Sequence, residues 1–276
     1  MTKLFDLEND GVNMATDGQF LYVRCKRTMF KYTLNDMNLS AQNVIFKKDG
    51  KARNFSVHSK YIFLTDFCDL YILDKNDLQI LDVYKLGNDL SSDLGAVRFD
   101  DKKAYINIRN GKMAVMDIET RAVDKYDISD SSSWDHCVTG DRIYTGTVNG
   151  QLIETDTGDM SLIRKIDLCK KNIYSIIYAD GILYTVSQDM TIKSLNTETL
   201  EVVCTAKKAV KGMTKILGIY NDFLVIADGG ISLWDKQSLV LSERFDFPTG
   251  QFNKGVVLHE NILIGSDYNS LYSRRI

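Results

Sequence analysis

Four short segments of this chain share one pattern, an apolar residue, an aspartate and a second apolar residue: Phe5-Asp6-Leu7, Tyr126-Asp127-Ile128, Ile166-Asp167-Leu168 and Phe245-Asp246-Phe247. From each aspartate to the apolar anchor of a following strand, at Tyr22, Tyr144, Tyr184 and Ile264, the distance is 16, 17, 17 and 18 residues. The spacing holds at the very start of the chain, so the first residues play the role of segments deep within it. Three further anchors, Phe63, Tyr105 and Val225, complete a series with intervals of 41, 42, 39, 40, 41 and 39 residues. Seven anchors predict seven repeats, and a period of about 40–45 residues holding four short strands is that of a propeller blade.

Within a repeat, the strands follow from alternation and turn residues. In the third, Gly95-Ala96-Val97-Arg98-Phe99 reads as the first strand, Asp101-Lys102 as its turn and Ala104-Tyr105-Ile106-Asn107-Ile108 as the second. Asn110-Gly111 predicts a two-residue hairpin, because the pair tolerates positive backbone angles, and Met113-Ala114-Val115-Met116 returns from it. Asn149-Gly150 repeats the device one unit later. Third strands run into Asp-x-x-Thr or a relative (Asp74 to Asp77, Asp117 to Thr120, Asn196 to Thr199, Asp235 to Ser238), where a short polar side chain can bond back onto its own turn.

The last repeat offers Gly255-Val256-Val257-Leu258, Ile262-Leu263-Ile264 and Leu271-Tyr272-Ser273, then ends at Ile276 without a fourth strand. Lys3-Leu4-Phe5-Asp6-Leu7 carries the signature of the missing strand, so residues 3–7 are assigned to that vacancy. Such pairing closes the ring and removes open sheet edges that would template aggregation.

With these features the chain resembles the seven-bladed β-propellers of the WD40-like and quinoprotein-like (PQQ-like) repeat superfamily, over essentially all 276 residues. Its motifs are degenerate. Trp234-Asp235 alone matches the WD dipeptide, no Gly-His pair opens the repeats, and no Thr of the turns is followed by Gly and Trp as in the quinoprotein docking pattern. The resemblance implies an all-β fold of seven four-stranded antiparallel blades, one domain over residues 1–276, and transfers no residue role.

Composition agrees. The 44% hydrophobic content, 14 Tyr and 12 Phe with a net charge of −3 argue against disorder, and a single proline, Pro248, with no Gly/Ser-rich run gives no boundary between domains. The opening residues Met1 to Asp6 contain no long apolar stretch, so neither a secretory signal nor a membrane span is expected and a cytoplasmic location is. Five cysteines, Cys25, Cys68, Cys137, Cys169 and Cys204, form an odd set without CxxC and read as reduced packing residues.

Catalytic signatures are sparse. There is no Gly-rich phosphate cradle, Asp228-Gly229-Gly230 reading as a hairpin, and no Gly-x-Ser-x-Gly elbow. His259-Glu260 lacks the second His of a zinc-protease helix. No metal or cofactor is expected. His58 and His259 share one repeat position, five residues before their anchors, and read as turn residues.

His136 differs, because Ser133-Trp134-Asp135-His136 lies where the chain crosses from one blade's outer strand to the next blade's first strand. In propellers such crossings, with the hairpins between second and third strands, form the face at the channel mouth where ligands and partners bind. A half-exposed Trp beside an acid and an imidazole could stack on a ligand, or pack between blades. Crossings into blades 2, 5 and 6 carry Lys47, Lys48, Lys51, Arg53, Lys170, Lys171, Lys207, Lys208, Lys211 and Lys215, while those into blades 3 and 4 carry Asp89, Asp93, Asp127, Asp130 and Asp135. A face split into basic and acidic arcs suits a partner with its own charge pattern, and solvated loops give the same sequence.

Two functions remain. One is a non-catalytic recognition scaffold that binds a protein or peptide partner, or a small-molecule ligand, through Arg53, Asp93, Trp134, Lys171, Lys211 and Lys215. The other is a hydrolase or lyase at the same face, with His136 as general base, Asp135 orienting it and Arg53 holding an anionic group. Neighbours on a strand point to opposite faces, which counts against the Asp135–His136 pair. A sequence pI of about 5.7 lacks the footprint of a nucleic-acid binder.

Overall fold

The computed structural model describes residues 2–6, 12–45, 54–88, 92–210, 214–246, 256–266 and 270–276. Arg53 and Lys211, with Lys47, Lys48, Lys51, Asp89 and Pro248, lie outside them. The described residues form seven four-stranded antiparallel sheets, the blades of a β-propeller, and fall into two compact units, Met1–Leu94 with Phe247–Ile276, and Gly95–Asp246.

In the first unit, β1 (Thr2–Asp6) precedes blade 1, made of β2 (Val12–Thr16), β3 (Phe20–Cys25), β4 (Thr28–Thr33) and β5 (Leu39–Val44). Blade 2 follows as β6 (Asn54–Val57), β7 (Tyr61–Asp66), β8 (Asp69–Asp74) and β9 (Ile80–Lys85). The second unit holds blade 3 as β10 (Leu94–Phe99), β11 (Lys103–Ile108), β12 (Lys112–Asp117) and β13 (Val123–Asp127), and blade 4 as β14 (Ser133–Thr139), β15 (Arg142–Thr147), β16 (Gln151–Asp156) and β17 (Leu162–Asp167). Blade 5 is β18 (Ile173–Ala179), β19 (Ile182–Ser187), β20 (Ile192–Asn196) and β21 (Val202–Ala206); blade 6 is β22 (Lys215–Tyr220), β23 (Phe223–Ala227), β24 (Ile231–Asp235) and β25 (Leu241–Phe245). Blade 7, β26 (Val256–His259), β27 (Ile262–Ser266) and β28 (Ser270–Arg275), returns to the first unit. There β1 pairs antiparallel with β28, Lys3 opposite Tyr272 and Phe5 opposite Leu271, so the opening strand supplies the outer strand of the last blade.

All seven sequence anchors are buried in the second strands, where a blade is covered on both faces. Fourth strands are edges, and β9 and β17 alternate between exposed and half-buried residues. The four signature segments fall at the ends of fourth strands β13, β17 and β25 and of β1. Apolar clusters join adjacent blades: Tyr105, Met113, Val115, Ile143 and Met160 between blades 3 and 4, and Met14, Leu21, Val257, Ile264 and Leu271, with Leu4 against them, between blades 7 and 1. Side chains also reach the turn after the next blade's third strand. Lys31 Nζ donates to the Lys75 carbonyl, Lys103 Nζ to that of Thr157 and Arg164 to that of Thr197.

The turns after third strands are capped by their own Asp or Asn. Asp117 accepts from the N–H of Thr120 at 2.7 Å, Asn196 from that of Glu198 at 2.8 Å, and Asp235 from that of Ser238 at 2.7 Å. Four residues after the cap, Leu78, Arg121, Met160, Leu200 and Leu239 all have positive φ, and the apolar four are buried, so packing offsets the backbone strain. Hairpins after the second strands of blades 1 and 2 have two-residue loops, but the Asn-Gly hairpin of blade 3 differs from the two-residue expectation. Ile108 pairs with Lys112, leaving Arg109-Asn110-Gly111 as a three-residue loop in which Gly111 alone has positive φ (83°). At Gly111 a Cβ would lie 2.0 Å from the Ser129 carbonyl oxygen, because the crossing to the next blade hydrogen-bonds back onto this loop.

Candidate functional site

First strands of consecutive blades pack on one another, β14 against β18 and β18 against β22, and their side chains build a polar cluster. Arg98 on β10 donates from Nη2 to Oδ1 of Asp135 on β14 at 2.6 Å and from Nε to the His136 carbonyl at 3.1 Å. The other oxygen of Asp135 accepts from Ser175 Oγ (3.0 Å) and the N–H of Ile176 (3.3 Å), both on β18. With its side chain 7% exposed, this carboxylate ties three blades together. Lys215, first residue of β22, is exposed at the edge of this cluster. Its pKa is pushed down, by desolvation first and by Arg98 second, against the pull of Asp135. The cluster thus holds two cations and one anion beside water, a local excess of positive charge.

Above it, the Arg109 guanidinium of the β11–β12 loop sits 3.9 Å from the ring centroid of Trp134, where β14 begins. Both are half-buried, so a flat cation-on-indole surface is presented with one edge open to solvent.

The sequence-predicted residues separate in space. A register shift between Ser133 and Asp135 re-aims the start of β14. Asp135 turns to Arg98 and Ser175, while His136 is fully buried and neither ring nitrogen has a hydrogen-bond partner of good geometry among the described residues. Burial, aided by Arg98, pushes its pKa down to about 3, so the ring is neutral at physiological pH. The Asp135 carboxylate meets only the backbone N–H of His136, at 3.0 Å, and not its ring. Asp93 is buried in the other unit. Lys171 is exposed on the crossing before β18. Arg53 and Lys211, outside the described residues, have no place in this geometry.

The acidic arc is largely neutralised: Asp127 pairs with Lys112 at 2.9 Å, Asp130 with Lys165 at 3.5 Å and Asp135 with Arg98. Lys170, Lys171, Lys207 and Lys208 stay exposed, so the crossings into blades 5 and 6 keep their basic character. Sequence reading missed Arg98, Arg109 and Ser175 as site residues. Arg98 carried a signal, being a charge in the middle of a first strand that the blade pattern packs against its neighbour.

All five cysteines are free. Among the described residues, no group of three or more His, Cys, Asp or Glu is placed to hold a metal ion, and no helix is long and apolar enough to cross a membrane.

No family model matches this chain, and no curated protein matches it. Solved structures do. One chain of a crystal structure of the mitotic checkpoint complex superposes with a TM-score of 0.84 at 13% identity, covering 100% of this chain and 92% of that one. The computationally designed Ika8 protein superposes with a TM-score of 0.71 at 13% identity, covering 99% of this chain and 100% of its own. At such identity the likeness concerns the fold alone, and with the blade order and register above it makes this chain a seven-bladed β-propeller.

Proposed function

We propose that this chain is a recognition scaffold, working in the cytoplasm, that holds a protein or peptide partner at the strand ends where Arg109 and Trp134 meet the crossings into blades 5 and 6. The supporting observation is the half-buried Arg109–Trp134 stack together with exposed Lys170, Lys171, Lys207 and Lys208 on the later crossings and exposed Lys215, which has no ion pair among the described residues. An aromatic anchor with a surrounding positive field is how surfaces capture acidic or aromatic partner side chains. By repeat position in the sequence, Arg53, Asp93 and Lys211 are proposed as further contacts for such a partner. The mitotic checkpoint structure is that of a complex, which supports a protein as the partner class. Five free thiols fit a reducing compartment.

The test is quantitative affinity capture from the source cells with wild-type chain, Trp134→Ala, Lys171→Glu and a control, Lys102→Glu, placed at the opposite strand ends in the exposed β10–β11 turn. Partners retained by the control and lost from both site variants, with thermal unfolding unchanged, are expected. An identical capture profile for all four proteins overturns the reading.

A further inference from the structure

Blades 4 and 5 carry the same cross-strand row with different contents. In blade 4 the register aligns Tyr144, Glu154 and Arg164, and this row faces blade 5. Glu154, its side chain 3% exposed, accepts from Tyr144 Oη at 3.3 Å and Arg164 Nε at 2.5 Å. The guanidinium then donates to the carbonyls of Thr197 (3.0 Å) and Glu198 (2.7 Å) in the turn after β20. A carboxylate and a guanidinium fill the space between the blades.

In blade 5 the same register reads Tyr184, Ser194 and Cys204, and the facing turn after β24 supplies Lys236 and Gln237 where blade 5 supplies Thr197 and Glu198. Two small side chains thus stand where blade 4 has two long ones, and a cavity of about 370 Å³ is left, lined by Tyr184, Ser194, Lys236 and Gln237 together with Ile182 and Val203. The cavity is open to solvent on one side. Ser194 is 2% exposed, and its hydroxyl oxygen is buried without a hydrogen-bond partner. The hydroxyls of Tyr22, Tyr105 and Tyr144 each donate to a carboxylate, whereas that of Tyr184 meets no protein acceptor among the described residues. Two hydroxyls with unused hydrogen-bonding capacity thus line the cavity, beside Ile182 and Val203 and the polar Asp180, Lys236 and Gln237.

The charges around the mouth select the sign of an occupant. Asp180 lines the cavity, Asp222 and Asp180 lie 3.3 and 3.8 Å from the single Lys236 ammonium, and the fields of Asp180 and Asp235 help to raise the Tyr184 pKa behind desolvation. Three carboxylates against one ammonium favour a cation.

We propose that this cavity between blades 5 and 6 receives the guanidinium of an arginine side chain presented by a partner polypeptide, in the place Arg164 holds one blade earlier. The fork donates toward the Lys236–Gln237 turn and to the oxygens of Tyr184 and Ser194, while the aliphatic stem lies along Ile182 and the 60% exposed Val203. The pocket opens among the β18–β19 and β24–β25 turns, at the strand ends opposite Trp134. It therefore stands or falls independently of the function proposed above.

The probe is the blocked pentapeptide acetyl-Gly-Gly-Arg-Gly-Gly-amide, titrated into the full chain by NMR, with the citrulline peptide and free L-arginine alongside. Saturable binding of the arginine peptide in the millimolar range or tighter is expected, with the uncharged citrulline peptide at least about tenfold weaker. Ser194→Glu combined with Cys204→Arg copies the blade 4 row and should abolish binding. Should that variant not fold, Asp180→Lys at the exposed rim should weaken binding about tenfold with thermal unfolding unchanged. Equal binding of arginine and citrulline peptides, no saturation by about 10 mM, a bound peptide in the filled variant, or binding of free arginine without the peptide would each overturn the assignment.

Discussion

Arg98 reaches across from blade 3 to Asp135 of blade 4 at 2.6 Å, and that carboxylate is shared onward with Ser175 of blade 5. Three first strands, about forty residues apart in sequence, depend on one acid. Asp135→Ala strands a part-buried guanidinium and a buried hydroxyl, and because Arg98 is a third exposed the loss should sit near the low end for such pairs, about 2–3 kcal/mol. Asp135→Asn, which keeps an acceptor, should cost less. Equilibrium denaturation in urea measures both, and equal stability of all three proteins would contradict the bridging role.

His136 makes stability depend on pH in a defined window. In the folded chain its ring stays neutral down to about pH 3, through burial first and Arg98 second, whereas in the unfolded chain it protonates near pH 6.5. Between those values the unfolded chain binds more protons, so the contribution is whole above pH 6.5 and is lost as pH falls, by about 5 kcal/mol at the limit. Asp17 acts lower. Burial raises its pKa, but Lys75 and the N–H groups of Phe20 and Gln19 outweigh this and hold it at about 2, so its contribution fades only as pH falls below the unfolded value of about 4. His136→Leu should flatten the stability profile from pH 6.5 to 4 and leave the lower limb in place, as read by denaturant midpoints across pH.

Gly111 and Gly181 offer a matched pair. Their φ angles are 83° and 79°, but a Cβ at Gly111 would overlap the Ser129 carbonyl oxygen at 2.0 Å while one at Gly181 meets nothing within 4 Å. Gly181→Ala should cost about 1 kcal/mol for backbone strain alone, and Gly111→Ala at least about 3 kcal/mol because the crossing must move as well. Thermal unfolding of the two variants separates strain from crowding.

Deleting residues 2–6 removes β1 and uncovers the edge of β28. It also strips Leu4 from the cluster holding Leu21, Ile264 and Leu271. Early unfolding and concentration-dependent aggregation, seen by light scattering during a thermal ramp, are expected. A midpoint unchanged from the full chain would show that β1 contributes nothing to stability.

The architecture was legible because blades repeat: the signature marks fourth-strand ends, and every anchor is a buried second-strand residue. The three-residue Arg109–Gly111 loop was read as two residues, since Asn-Gly announces a turn without fixing its length. Arg98, Asp135 and Ser175 fall on consecutive first strands, and no sequence motif records a bond between residues one repeat apart. Aligning repeats by strand register, rather than by anchor alone, sets Ser194 and Cys204 against Glu154 and Arg164; that register comes only from the paired strands.

The pairing of β1 with β28 has a consequence for biosynthesis. β1 leaves the ribosome long before β28, the strand it pairs with, is translated. Until then its edge has no native neighbour, so completion of the β26–β28 blade is a long-range step and the stage at which a chaperone or a second nascent chain would compete for it.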